Sequence, residues 1–198
     1  MKHAIKVVLF SIYFLCGIQV ALAQPSPVNM LQNATDQMLN ALEKTTNKNP
    51  KALYGLVQRI LLPHVDLDNM SQQILGNAWQ NASPAQKTAF KQEFTYFVTR
   101  TYSTALASYS NQKVRYLPIR GGVKGDHVQV NSLIDQNSGQ SIAVNYRLSL
   151  SGGEWKVYDF SVEGVSIVNN YRSQFSSVLR TKGLDGLIAQ LKSHNAGM

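Results

Sequence analysis

The chain is nearly without cysteine, poor in acids, and free of any long hydrophobic run. Its single cysteine is Cys16, so a disulfide framework and a thiolate zinc or redox site are both excluded downstream of it. Asp and Glu number 11 against 19 Lys and Arg. Few carboxylates are therefore on hand for general acid–base work or a calcium loop. The apolar stretch from Val7 to Val20 falls short of the roughly 20 residues that a bilayer needs. His64, His127 and His194 lie far apart, and no pair has the spacing of a zinc helix.

What is present begins with the N-terminus. Lys2 and Lys6 stand at the head of the apolar stretch, and Ala21-Leu22-Ala23 follows it. A basic start, a short apolar middle and an A-x-A end make a secretory leader. Residues 1–23 are read as cleaved, and residues 24–198 as one mature domain beginning at Gln24. Leu15 precedes Cys16 where a lipoprotein signal needs a small residue, which argues against lipidation. At about 175 residues the mature chain is long enough to bury most of its apolar surface in one domain. It enters an oxidising compartment without a thiol, so packing alone must hold it. The formal charge is +8; losing Lys2 and Lys6 leaves 17 basic against 11 acidic side chains, or +6. Export argues against nucleic acid. Anionic headgroups, acidic protein surfaces and plain solubility remain as uses for the charge. Lys113, Arg115, Arg120 and Lys124 form its densest group.

The pattern along the chain is α+β. Leu31, Met38, Leu39 and Leu42 have roughly helical spacing from Val28 to Lys44. Pro50 opens a second helix that Pro63 ends, and Asp66 caps a third that Gly76 stops. Ser83-Pro84-Ala85-Gln86 is a capping box for an aromatic helix reaching to about Tyr109. About four strands follow, at 113–119, 126–135, 141–150 and 155–162, joined by short Gly-rich connections that specify an antiparallel meander. Ile142, Val144, Tyr146, Leu148 and Leu150 share one face of the third strand. Pro118 marks an edge. Two helices, 166–179 and 184–192, close the chain around Gly183. The expected architecture is a twisted antiparallel sheet with helices over its one apolar face.

Catalytic constellations are scarce. Gly164-Val165-Ser166-Ile167-Val168 resembles a nucleophile elbow but lacks the second glycine. Ser166 is better explained as a helix N-cap. Asp66 and Asp68 lack the partners of a calcium loop and suit a cap. Asp159 and Glu163 form a possible carboxylate pair. A structural partner for Asp159 such as Arg172 or Arg100 is the simpler reading. A non-enzymatic adaptor with a filled core and a small hydrolase built on Ser166 are the competing functional classes. The surplus of tyrosine is a positive signal, since phenols suit the rim of an apolar cavity.

Four blocks carry a resemblance. They are His64-Val65-Asp66 to Trp79, Ser83-Pro84-Ala85-Gln86 to Tyr109, the run Trp155 to Phe175, and Lys182-Gly183-Leu184-Asp185-Gly186-Leu187-Ile188. Together they resemble the periplasmic phospholipid carriers of the maintenance-of-lipid-asymmetry pathway, also called the toluene-tolerance auxiliary family. The resemblance implies an NTF2-like curved sheet plus a helical lobe, enclosing a lipid cavity. It implies phospholipid as cargo with no other cofactor and no catalysis. It also implies docking on an outer-membrane lipoprotein–porin complex and on an inner-membrane ABC transporter complex with its substrate-binding subunit. Alternation and helical spacing then name the expected cavity wall. Ile142, Val144 and Tyr146 oppose Phe94, Phe97, Val98, Thr101 and Tyr102. Val128, Val130 and Val157 extend the sheet side, and Val168, Tyr171 and Phe175 close it.

Overall fold

The computed structural model describes residues 26–108, 112–136 and 139–196. The leader and Tyr109, the expected end of the aromatic helix, lie outside them. The helical half comprises α1 (Pro27–Lys44), α2 (Pro50–Ile60), a 3-10 turn (Leu62–His64), α3 (Leu67–Leu75), α4 (Asn77–Gln80), α5 (Pro84–Thr101) and α6 (Ser103–Ala107). Strands β1 (Val114–Tyr116), β2 (His127–Asp135), β3 (Ser141–Ser151), β4 (Glu154–Val162) and β5 (Val165–Ser166) follow. α7 (Ile167–Ala196) ends the chain.

Side chains start these helices, at Asp66 and Ser83 as the sequence proposes and at Ser26 and Asn49 in addition. Ser26, Asn49 and Asp66 each accept a backbone N–H three residues on, with a proline opening α1 and α2. The Ser83–Gln86 capping box is complete in both directions, at 3.2 and 2.9 Å. α5 ends earlier than its periodicity suggests. Tyr102 leaves helical geometry (φ −98°, ψ 8°), and α6 restarts at Ser103. Pro63 sits inside the 3-10 turn. α4 and β5 were not expected, being four and two residues long. Gly183 (φ 65°) breaks α7 where the sequence places the break.

The strands form one antiparallel sheet in the order β1-β2-β3-β4-β5. Its register sets five cross-strand rows on the helix-covered face: Val114–Ile134–Ile142, Tyr116–Ser132–Val144–Val162, Val130–Tyr146–Phe160, Val128–Leu148–Val157, and Leu150–Trp155. The register shifts once, between Arg147 and Leu148. The outer edge of β4 is covered by β5 at one end. At the other end Val65 forms a parallel bridge to Val157, with Asp66 N–H donating to Val157 C=O at 2.9 Å.

Buried side chains form three clusters. The helical cluster joins α3, α4, α5 and α7 through Met70, Ile74, Trp79, Phe90, Phe94, Tyr171, Phe175 and the α7 leucines. The sheet cluster sets Leu31 of α1 against Val130, Leu148, Trp155 and Val157. The third links α1 to α2 through Met38, Leu42, Leu53, Leu56 and Val57, with Leu106 of α6 at its margin.

Candidate functional site

The expected wall does not assemble as one surface. Phe94, Val168, Tyr171 and Phe175 are core of the helical cluster, with Phe97, Val98 and Tyr102 against it. Rings fill that space: Phe94 meets Tyr171 at 5.2 Å edge to face, and Phe97 meets Tyr171 at 5.6 Å. The aromatic face of α5 therefore packs on α7 and not on β3. Thr101 is exposed, its hydroxyl donating to Phe97 C=O. Val130 and Val157 are core of the sheet cluster, and Val128 and Tyr146 lie at its margin. Ile142 and Val144 join none of the three clusters.

That last fact locates a distinctive surface. Val144 is 6% exposed and Ala34 of α1 is 5% exposed, yet both stand outside the clusters. Val114, Ile134, Ile142 and Val162 are half-buried on the same covered face and also stand outside them. Apart from Tyr116, which packs against the sheet cluster, and the buried Ser132, the first two rows are apolar side chains that stand outside the three clusters, Val144 buried and the others half-buried. Sequence reasoning named Ile142 and Val144 but missed Ala34, Ile134 and Val162. Ala34 follows Leu31 at helical spacing, and Ile134 and Val162 follow strand alternation, so the signal was there.

A hydroxyl set borders this surface. Tyr116 and Thr35 hydroxyls are 2.6 Å apart, and Tyr116 also donates to Leu31 C=O at 3.2 Å. Ser132, 1% exposed, donates to Val144 C=O at 3.0 Å. Burial pushes the phenols of Tyr116 and Tyr146 above their usual range, so both stay neutral at physiological pH. Thr95 and Thr99 on α5 are buried as well, and each satisfies its hydroxyl on the carbonyl four residues back. The side chains of the first two sheet rows are apolar or neutral.

The run Trp155 to Phe175 proves to be a structural hub. Asp159, 1% exposed, accepts Ser166 Oγ–H at 2.7 Å, Val168 N–H at 3.1 Å and Arg147 Nη1–H at 3.3 Å. Ser166 in turn accepts Asn169 N–H at 3.1 Å and caps α7. The partner of Asp159 is therefore Arg147 across the sheet, in place of the expected Arg172 or Arg100. Arg147 is the residue paired with Asp159 in the β3–β4 register, which sequence alone does not reveal. The Glu163–Gly164 corner takes positive φ at both residues (49° and 81°) to turn β4 back into β5 and α7. The carboxylate here anchors a helix.

Elsewhere, among the described residues, no group of three His, Cys, Asp or Glu side chains could hold a metal ion. No helix of the described residues is long and apolar enough to cross a membrane. Two open depressions are lined by the described residues, the first mainly polar and the second mixed. One of about 300 Å³ lies over Asp66, Asp68, Lys91 and Lys156, where Lys91 pairs with Asp68 at 2.6 Å. The other, about 360 Å³, lies beside the start of β2.

Known proteins are similar to the chain over most of its length. A toluene tolerance protein, ttg2D, of Pseudomonas putida is 31% identical over 170 residues, covering 84% of this chain and 79% of that protein. The intermembrane phospholipid transport system binding protein MlaC of Haemophilus influenzae is 28% identical over 180 residues, covering 88% and 84%. The solved structure of a phospholipid-binding protein from Ralstonia solanacearum, in complex with a phospholipid, superposes with a TM-score of 0.79 at 30% identity. It covers 85% of this chain and 96% of that one. The family model described as MlaC protein matches residues 32–193, and the chain belongs to that family.

Proposed function

We propose that this chain is a soluble periplasmic carrier that holds phospholipid acyl chains against the covered face of its sheet. It shuttles the lipid between an outer-membrane lipoprotein–porin complex and an inner-membrane ABC transporter complex, and so maintains outer-membrane lipid asymmetry. One observation supports the cargo most: the rows Val114–Ile134–Ile142 and Val144–Val162 are apolar, sheltered, and outside every packed cluster. The Ralstonia relative, solved with a phospholipid bound, supports it independently. Each methylene kept from water is worth about 0.8 kcal/mol, so an acyl chain needs such a wall to cross an aqueous space. The job requires no nucleophile, metal or nucleotide of the carrier itself, and phospholipid is cargo and not cofactor.

Native mass spectrometry of protein purified from cells without added lipid tests the reading. The expected spectrum carries one or more phospholipid masses on the polypeptide. A bare polypeptide mass overturns it in favour of a filled-core adaptor. Transfer is tested separately, by labelled phospholipid passing between membranes that carry the two complexes only when the protein is present.

A further inference from the structure

The connection from β1 to β2 leaves part of the sheet edge bare. β1 pairs only with Ser132–Ile134 of β2, and one further bond, Leu117 N–H to Asn131 C=O at 2.8 Å, ends the pairing. On this side Asp135 N–H also reaches Lys113 C=O, whereas Asp126 C=O faces β3 and accepts Leu150 N–H. Backbone groups alternate sides along a strand. The N–H and C=O of Gln129 and His127 therefore point outward, where no backbone partner meets them among the described residues. The loop after Leu117 stands off from this edge and leaves the open groove of about 360 Å³ between loop and strand.

The groove has a charge as well as an edge. Arg120 and Lys124 line its loop wall, are exposed, and make no ion pair among the described residues. Asp126 beside them is engaged by His127 at 2.8 Å. An unpaired strand edge is a template for one more strand. We propose that this groove docks an extended acidic segment of a partner protein, which adds as a strand along His127–Asn131 while its carboxylates meet Arg120 and Lys124. A second copy of this basic chain would bring the same cations and repel. A bilayer surface has no backbone to complete the ladder. The site lies at the end of β2 away from the rows that stand outside the clusters, so this proposal stands or falls independently of lipid carriage.

A short synthetic peptide alternating glutamate with threonine is the probe, with a twin whose alternate amides are N-methylated. Binding of the first should slow amide hydrogen exchange at His127 and Gln129, and the twin should bind at least about tenfold more weakly. Gln129→Pro removes an outward N–H at an edge position where proline is tolerated. It should cost at least about tenfold in peptide affinity and leave bound phospholipid unchanged. Arg120→Glu with Lys124→Glu should abolish binding at low salt, with the wild-type advantage shrinking as salt rises. Equal binding of the N-methylated twin overturns the proposal, and that comparison needs only the native protein should Gln129→Pro fail to fold. Protection confined to residues other than β2 also overturns it. So does capture of the protein by phosphatidylglycerol vesicles through Arg120 and Lys124 when the peptide is ignored.

Discussion

One sheet face has two kinds of surface. At the β3–β4 turn, Leu148 and Trp155 are 0% and 2% exposed and lock onto Leu31 of α1. At the opposite end, Ile142, Val144 and Val162 are as apolar but join no cluster. The same strands, the same alternation and the same residue types build both. The difference lies in what covers them. α1 lies on the first region through Leu31, then turns its later residues, Met38 and Leu42, to α2. α5 spends its phenylalanines on α7. The sheet is therefore a packed scaffold at one end and, at the other, a largely half-buried wall outside the clusters, and the two should respond differently to the same change.

The sharpest break of that comparison is a charge placed on each region. Val130 is 0% exposed in the sheet cluster. Val130→Asp buries a carboxylate without a partner, a cost of several kcal/mol that a marginally stable domain does not survive. It should yield no soluble protein. Val144→Asp, one row away, should remain folded with water in place of lipid and emerge without phospholipid in native mass spectrometry. Retention of lipid would show that Val144 does not line the cargo space. Failure to fold would make its row ordinary core.

Next in size is the joint that holds α7 to the sheet. Asp159→Ala leaves Val168 N–H and the Ser166 hydroxyl without their acceptor and should cost about 2–4 kcal/mol. Ser166→Ala removes one cap and should cost about 0.5–2 kcal/mol, with lipid content and carrier activity nearly intact. Urea titration checks both. A dead Ser166→Ala protein of unchanged stability would point to catalysis and defeat the carrier reading.

Truncation gives a smaller contrast. Val130→Ala loses two carbons from a packed site, about 1.5 kcal/mol of transfer plus a cavity term. Val144→Ala should cost less, because the half-buried Ile142 and Val162 beside it can close over the smaller side chain. A difference below experimental error between the two in urea titration would erase the distinction between the regions.

The sequence made the faces legible but not their partners. Ile142, Val144, Tyr146 and Leu148 were assigned to one face from alternation alone, and the register agrees. Caps at Asp66, Ser83 and Ser166 were legible because they are local hydrogen bonds between residues three apart. The spacing of Phe94 and Phe97 predicts that they oppose the sheet, whereas they pack on α7. Helical spacing says that a stripe is buried and is silent on what buries it. Arg147 as the partner of Asp159 depends on strand register and a bulge, which are tertiary facts. β5 is two residues long and gives no periodicity to read.

The smallest effect concerns how the half-buried end of the sheet is held. There the sheet is tied at its rim: Asp135 accepts Arg115 Nε–H and Nη2–H at 2.8 and 2.9 Å and Ser141 Oγ–H at 2.9 Å. The hydrogen bond from Arg115, then that from Ser141, hold the Asp135 carboxyl down at about 2. A depressed carboxyl contributes stability above its unfolded value, near 3.9, and loses it as pH falls towards the folded value. The group is exposed, so the contribution is slight. Thermal melts of wild type and Asp135→Asn should differ a little above pH 4 and converge at about pH 2. Val144→Ala should leave that convergence unchanged, because the rim and the wall are separate. Curves that stay apart at pH 2 would mean that Asp135 acts through geometry and not through its charge, and this end of the sheet would then owe its order to something other than this ion pair.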